Sequence, residues 1–168
     1  MVKRKKATGE KPAPVRLWLI RHAHAVDAAQ NTVRPVSKRG RKQIRALARF
    51  LDKTGALRPV EIWHSPLVRS RQSAELLAAA LKLAAPLVQV TGLLPDDTAR
   101  PMARRLKRVR DVAIFGHEPH LSALASLLVT GAAEPPAFVL KKCAVLALER
   151  VAAMRWVVRW QVSPEVIG

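Results

Sequence analysis

The chain is short of negative charge. Its 168 residues hold 12 Asp and Glu against 30 Lys and Arg, a formal net charge of +18. Such an imbalance points to anionic partners, whether phosphates, nucleic acid or acidic protein surfaces, without choosing among them. A codon bias toward Arg and Ala would supply part of the excess with no function behind it. Cysteine is nearly absent: Cys143 stands alone, which excludes an internal disulfide and fits a reducing, cytoplasmic setting. Aromatics make up 4% of the chain, as four Trp and three Phe. They are scattered, without the interleaved platform on which single-stranded nucleic acid stacks. No apolar run approaches the roughly 18 residues of a membrane span. The basic N-terminus is followed by no h-region of a secretory leader, because the next apolar run is only Leu17–Ile20.

What remains is ordered punctuation. Residues 1–14, "MVKRKKATGEKPAP", read as a disordered basic tail, and 15–168 as one domain. "VRLWLI" (15–20) has the apolar continuity of a buried strand. Ser37 is an N-cap for a helix to about Lys53, with Ile44, Leu47, Ala48 and Leu51 on one face, basic residues on the others and Gly55 after its end. Strand 60–65 precedes a helix near 67–83. Strand 87–90 precedes a helix over 98–109, with Pro101 in its first turn. Strand 111–116 leads through a turn at His117–His120 into a helix ended by Gly131. Strands 143–150 and 154–160 then form a hairpin whose Trp156 and Trp160 share a face. Alternating strands and helices that end in a hairpin predict a three-layer α/β/α sandwich. Its central sheet is mostly parallel, with an antiparallel strand at one edge.

In such sheets ligands bind beyond the carboxyl ends of the strands. The first strand ends in Arg21-His22-Ala23-His24 and the second in His64-Ser65-Pro66, with Arg69 one turn on. The strand at 111–116 ends in Gly116-His117-Glu118-Pro119-His120. If those three strands are neighbours, they build one cationic pocket. Paired arginines present forks to phosphate oxygens. A neutral imidazole attacks phosphorus, and a second one hydrogen-bonds the oxygens as charge moves. A cation at Arg69, near a helix N-terminus, opposes the helix dipole, which suggests a compensating anion. These are the parts of a metal-free phosphoryl-transfer site. A metal reading of "HAH" and "HEPH" is weaker. "HEPH" is not H-E-x-x-H, its proline prevents two helical ligands one turn apart, and two arginines repel a divalent cation.

In order, "LIRHAHA", "VSKRGRKQ", "SPLVRSRQSAELL" and "FGHEPHLS" resemble the signatures of the histidine phosphatase superfamily, of phosphoglycerate mutase-like fold. The resemblance covers about residues 15–160. "RPVSKRG" (34–40), the short chain and the lack of a cap insertion are most similar to the small SixA-like phosphohistidine phosphatases. The resemblance implies that His22 is the nucleophile, Arg21 and Arg69 clamp the phosphate, and His117 stabilises the transferring oxygens. It further implies that Arg34 faces the pocket and that no metal or other cofactor is needed. Ala23 stands where many members have glycine, Ser73 where threonine is usual and His120 where an acid is frequent. A general acid is not evident; only Asp96 and Asp97 lie where larger relatives carry one. A phosphoramidate has a leaving imidazole that solvent can protonate, whereas a phosphomonoester needs the acid more. The expected substrate is therefore a phosphorylated protein, for instance a histidine-phosphotransfer domain. Small phosphorylated compounds and polyphosphate are the alternatives, and a non-catalytic module binding phosphate or nucleic acid is the reading of another class. His24 is expected in the pocket wall, with its role open, and His64 in a structural or exposed place.

Overall fold

A computed structural model describes residues 14–153 and 155–167. The expected basic tail, apart from Pro14, lies outside the described residues. Six strands form one sheet: β1 (Val15–Arg21), β2 (Glu61–His64), β3 (Leu87–Gln89), β4 (Val112–Gly116), β5 (Val145–Ala152) and β6 (Arg155–Val162). Their order is β3-β2-β4-β1-β5-β6. The first four in that order run parallel, while β1–β5 and β5–β6 pair antiparallel. One strand, β5, therefore runs against the others, as expected, but it lies inside the edge, and β6 beyond it returns to the direction of β1.

Both faces of the sheet are covered, which is why the central strands are apolar almost throughout. In β1, Leu17 and Leu19 point into one core layer and Trp18 and Ile20 into the other. Helices α1 (Lys38–Thr54) and α2 (Val68–Ala80) pack together on the second face, joined by the short α5 (Pro164–Ile167). Helices α3 (Ala99–Arg105) and α4 (His120–Thr130) pack on the first. Helix α1 follows the sequence closely. The Ser37 side chain accepts the Gly40 N–H, and Gly55 closes the helix at φ 61°. Ile44, Leu47 and Leu51 are buried, each contributing roughly 1.5–3 kcal/mol of apolar burial, while Arg41, Lys42, Arg45 and Arg49 stay in solvent.

Other boundaries differ from expectation for local reasons. Helix α2 stops at Ala80 because Lys82 turns to φ 52° and the Leu83 N–H closes on the Ala78 carbonyl. Helix α3 ends at Arg105 in a 3-10 turn over Leu106–Arg108, whose carbonyls at Leu106 and Lys107 accept the Arg150 Nη1–H. Helix α4 begins at His120 itself. Trp156 and Trp160 do not share a face: Leu148 pairs with Val158 and Ala147 with Trp160. That bulge leaves Arg159 unpaired and flips the alternation. Trp156 therefore enters the first core layer and Trp160 packs on the second.

The strand order also meets the condition that the sequence left open. β4 lies between β1 and β2, with Arg21 level with Gly116 and His64 level with Phe115. The three polar strand ends converge on one edge.

Candidate active site

The site begins where β1 stops. The His22 N–H donates to the Gly116 carbonyl at 3.0 Å, and the Cys143 N–H reaches the carbonyls of Arg21 and His22 at 3.1 and 3.2 Å. The Ala23 N–H donates to Ser73 Oγ at 2.9 Å, and that hydroxyl donates to the Arg69 carbonyl at 2.6 Å. Serine in place of the usual threonine thus still ties the histidine loop to the helix that carries Arg69. His22 is consequently fixed from the flanking strand, from α2 and from the turn before β5.

Its ring is also oriented. Nδ1 lies 2.7 Å from the Ala23 carbonyl, which can only accept, so Nδ1 holds the proton and Nε2 carries the lone pair. His22 is 5% exposed. Burial first, then Arg69, Arg21 and Lys142, depress its pKa to about 3 against the raising effect of the Ala23 carbonyl. At neutral pH it is an uncharged imidazole with its nucleophilic nitrogen free.

His117 stands opposite, its ring centroid 5.0 Å from that of His22. Burial, then His22, Arg69, His120 and Arg21, lower its pKa to about 3 as well. Ser65 Oγ lies 2.6 Å from His117 Nε2 and accepts the Leu67 N–H at 3.3 Å. The hydroxyl proton is then available to Nε2, which places the hydrogen of the neutral ring on Nδ1. His117 Nδ1 is buried and has no hydrogen-bond partner among the described residues, and the same holds for Nε of Arg21 and Nε of Arg69. Buried donors are rarely left unmade, and three such groups beside one imidazole suit an anion. Arg21 is held there by donating from Nη1 to the Leu140 carbonyl at 2.9 Å.

The remaining expected residues fall as follows. Arg34 adopts φ 52° and donates from Nε to the Val26 carbonyl at 3.3 Å; its charge is felt by Arg69 and His24, so it belongs to the rim. His24 lies outside β1, its Nδ1 2.8 Å from Ser37 Oγ. His64 is buried and spans 2.9 Å from Nδ1 to the Ser65 carbonyl, a structural role. Asp97 accepts the Leu94 N–H at 2.7 Å, and its charge acts on His120 and not on either site histidine. His120, with both ring nitrogens buried and unpartnered, lines a cavity of about 440 Å³ with Asp96, Asp97 and Glu134. Among the described residues no three His, Cys, Asp or Glu side chains gather around a point where a metal could sit.

Four residues of this arrangement escaped the sequence reading. Ser65 is the hydrogen-bond partner of His117 Nε2. Gln43 accepts the His24 N–H at 2.9 Å, and Gln72 accepts the Val36 N–H at 2.8 Å. Both glutamines stand in the quoted motifs and fasten the loop between β1 and α1. The fourth is Glu118, a half-buried carboxyl beside Arg21. Burial raises its pKa against the lowering effects of Ser122 and Arg21. Ser122 Oγ donates to its Oε2, and Oε1 has no partner.

Comparison with known proteins agrees with this geometry. The family model described as histidine phosphatase superfamily (branch 1) matches residues 17–93. An uncharacterised protein of Picosynechococcus is 32% identical over 123 residues, 68% of this chain and 73% of that protein. Among solved structures, the protein histidine phosphatase SixA complexed with tungstate superposes with a TM-score of 0.80 at 24% identity, over 91% of this chain and 99% of its own. The mycobacterial glucosyl-3-phosphoglycerate phosphatase superposes with a TM-score of 0.66 at 18% identity, over 87% and 97%. From a strand ending in Arg-His, a facing histidine and a sheet of this order, the chain belongs to the histidine phosphatase superfamily, as a phosphatase of SixA-like fold.

Proposed function

We propose that the chain is a metal-independent protein phosphohistidine phosphatase working through a phosphohistidine on His22. One observation carries the mechanism: a neutral imidazole with Nδ1 tied to a carbonyl and Nε2 free, among unpartnered donors of Arg21, Arg69 and His117. The substrate phosphoryl group docks on the two guanidinium forks, which take the charge neutralisation that a metal would otherwise supply. His22 Nε2 donates its lone pair to phosphorus, and the bond from phosphorus to the leaving imidazole breaks. The leaving nitrogen takes a proton from solvent. His117 Nδ1–H hydrogen-bonds a phosphoryl oxygen as negative charge shifts toward it. Water then attacks phosphorus, the bond to Nε2 breaks, and inorganic phosphate leaves with His22 neutral again.

Preference for a phosphoramidate is supported by the absence, among the described residues, of a carboxyl hydrogen-bonded to either site histidine or acting on it by charge, since an imidazole leaves without an acid built for it. The superposed SixA, a protein histidine phosphatase, agrees with that preference. A second reading, hydrolysis of phosphomonoesters, is favoured by Glu118, whose raised pKa and free Oε1 suit a proton donor. A side-by-side assay of a phosphohistidine protein, polyphosphate and simple phosphomonoesters tests the proposal, with His22→Ala as control. The expected result is kcat/KM highest on the phosphohistidine protein and no phosphate release from His22→Ala. In the same assay Glu118→Gln should lose more on esters than on phosphohistidine. A higher kcat/KM on esters, together with a collapse of ester turnover in Glu118→Gln, would establish the second reading instead.

A further inference from the structure

The turn entering β5 is built unlike an ordinary connection. The Ala144 N–H closes on the Lys141 carbonyl at 2.9 Å, making a β-turn over residues 141–144. Its third residue, Cys143, sits at φ 62° with its side chain buried. That position of such a turn is the usual place for glycine or asparagine. A non-glycine residue there is strained and persists only where the surroundings over-determine it. Here they do. Cys143 N–H bonds the carbonyls of Arg21 and His22, Arg21 N–H bonds the Ala144 carbonyl at 3.1 Å, and Arg21 Nη1 bonds the Leu140 carbonyl. The turn is laced to the very residues that carry the nucleophile, and Lys142 is its second residue.

Lys142 is half-buried and makes no ion pair among the described residues. The charges acting on its amine are Arg21, Arg34, Arg39 and Arg69, and with burial they lower its pKa. Lys142 acts in turn on His22 and His24. Arg21, Arg69 and Lys142 thus act on the His22 imidazole, Arg34 and Arg39 act on Lys142 and His24, and among the described residues Glu118 is the one carboxylate acting on Arg21, Arg69 or Lys142. Arg21 and Arg69 suffice for the two charges of a phosphoryl dianion. Among the described residues Arg34, Arg39 and Lys142 make no ion pair.

We propose that Lys142, with Arg34 and Arg39, forms a second anion subsite that takes a further negative group of the substrate, a carboxylate or phosphate adjoining the transferred phosphoryl group. This inference rests on His22 marking the phosphoryl site. On the phosphohistidine reading, the group is an acidic side chain next to the modified histidine. A substrate with one isolated phosphate, its charge taken by Arg21 and Arg69, would leave Lys142 beside Arg34 and Arg39 uncompensated, a repulsion that a second anion relieves.

Binding of non-hydrolysable probes tests this without turnover. By titration calorimetry, imidodiphosphate is compared with inorganic phosphate, and phosphonoacetate with methylphosphonate. The two pairs separate a neighbouring phosphate from a neighbouring carboxylate. The wild-type chain should bind the doubly anionic member at least about tenfold more tightly in at least one pair. Lys142→Gln should remove most of that advantage, Lys142→Arg should keep it, and raised salt should shrink it. Equal affinity within both pairs, or an advantage that survives Lys142→Gln, would overturn the subsite. No phosphate release from any substrate, with the binding advantage intact, would overturn the catalytic proposal and leave the subsite standing.

Discussion

At the scale of single residues, protonation is the controlling variable. His22 and His117 titrate near 3 in the folded chain against an ordinary 6.5. Between those values the unfolded chain binds more protons than the folded one, so stability falls as pH drops from about 6.5 toward 3. Above 6.5 both forms are neutral and this contribution is flat. Thermal melts across pH 3–8 should show that slope reduced in the double variant His22→Asn, His117→Asn; an identical slope would show that the histidines are not the cause. His117→Ala removes one donor to the developing oxyanion and should lower kcat by about 10²–10³. Ser65→Ala removes the partner of His117 Nε2 together with the acceptor of the Leu67 N–H. It should lower kcat with little change in KM and shift the pH profile of kcat, whereas a merely structural loss would move stability without that shift. Arg69→Lys replaces a fork by a point charge, so it should not rescue activity.

At the scale of elements, the decisive contact is between α1 and the loop that follows β1. A Cβ at Gly40 would lie 2.2 Å from the His24 carbonyl and 2.8 Å from Val36. Helix α1 approaches the loop after His22 as closely as it does only because that residue is glycine. Gly40→Ala should destabilise the chain by about 1–3 kcal/mol and reduce kcat as the loop shifts; a denaturant melt and a rate measured on the same sample check both. Ser37→Ala removes the helix cap, about 1 kcal/mol, and the partner of His24 Nδ1. The elements that sequence made legible, such as β1, α1 and β4, are those with an apolar period or a capping residue. The ends of α2 and α3 were not, because a lysine at positive φ and a distant arginine terminate them. The bulge at Arg159, which parts Trp156 from Trp160, leaves no mark in the composition of β6.

At the scale of the whole molecule, the sheet order turns four separated motifs into one site. Arg21, His22, Arg69 and His117 were legible because each stands at a strand end, or for Arg69 one turn beyond it, in a quoted motif. Lys142 was not, since its place depends on β5 returning beside β1 and on a strained turn that no local pattern announces. Glu118 was quoted within a motif, yet its burial beside Arg21 is visible only in three dimensions. The exposed basic face of α1 and the net charge of +18 surround this site with positive potential. Raising salt from 0.05 to 0.5 M should therefore increase KM for anionic substrates several-fold with kcat little changed, because screening weakens encounter more than buried contacts.

The most direct test of the nucleophile is to look for the covalent intermediate. The chain is mixed with substrate, quenched within milliseconds in alkali, where phosphohistidine survives, and digested for mass spectrometry. A phosphate adduct on the peptide containing His22, lost in His22→Ala together with turnover, is the predicted result. Turnover without that adduct, an adduct on another residue, or full activity in His22→Ala would contradict it.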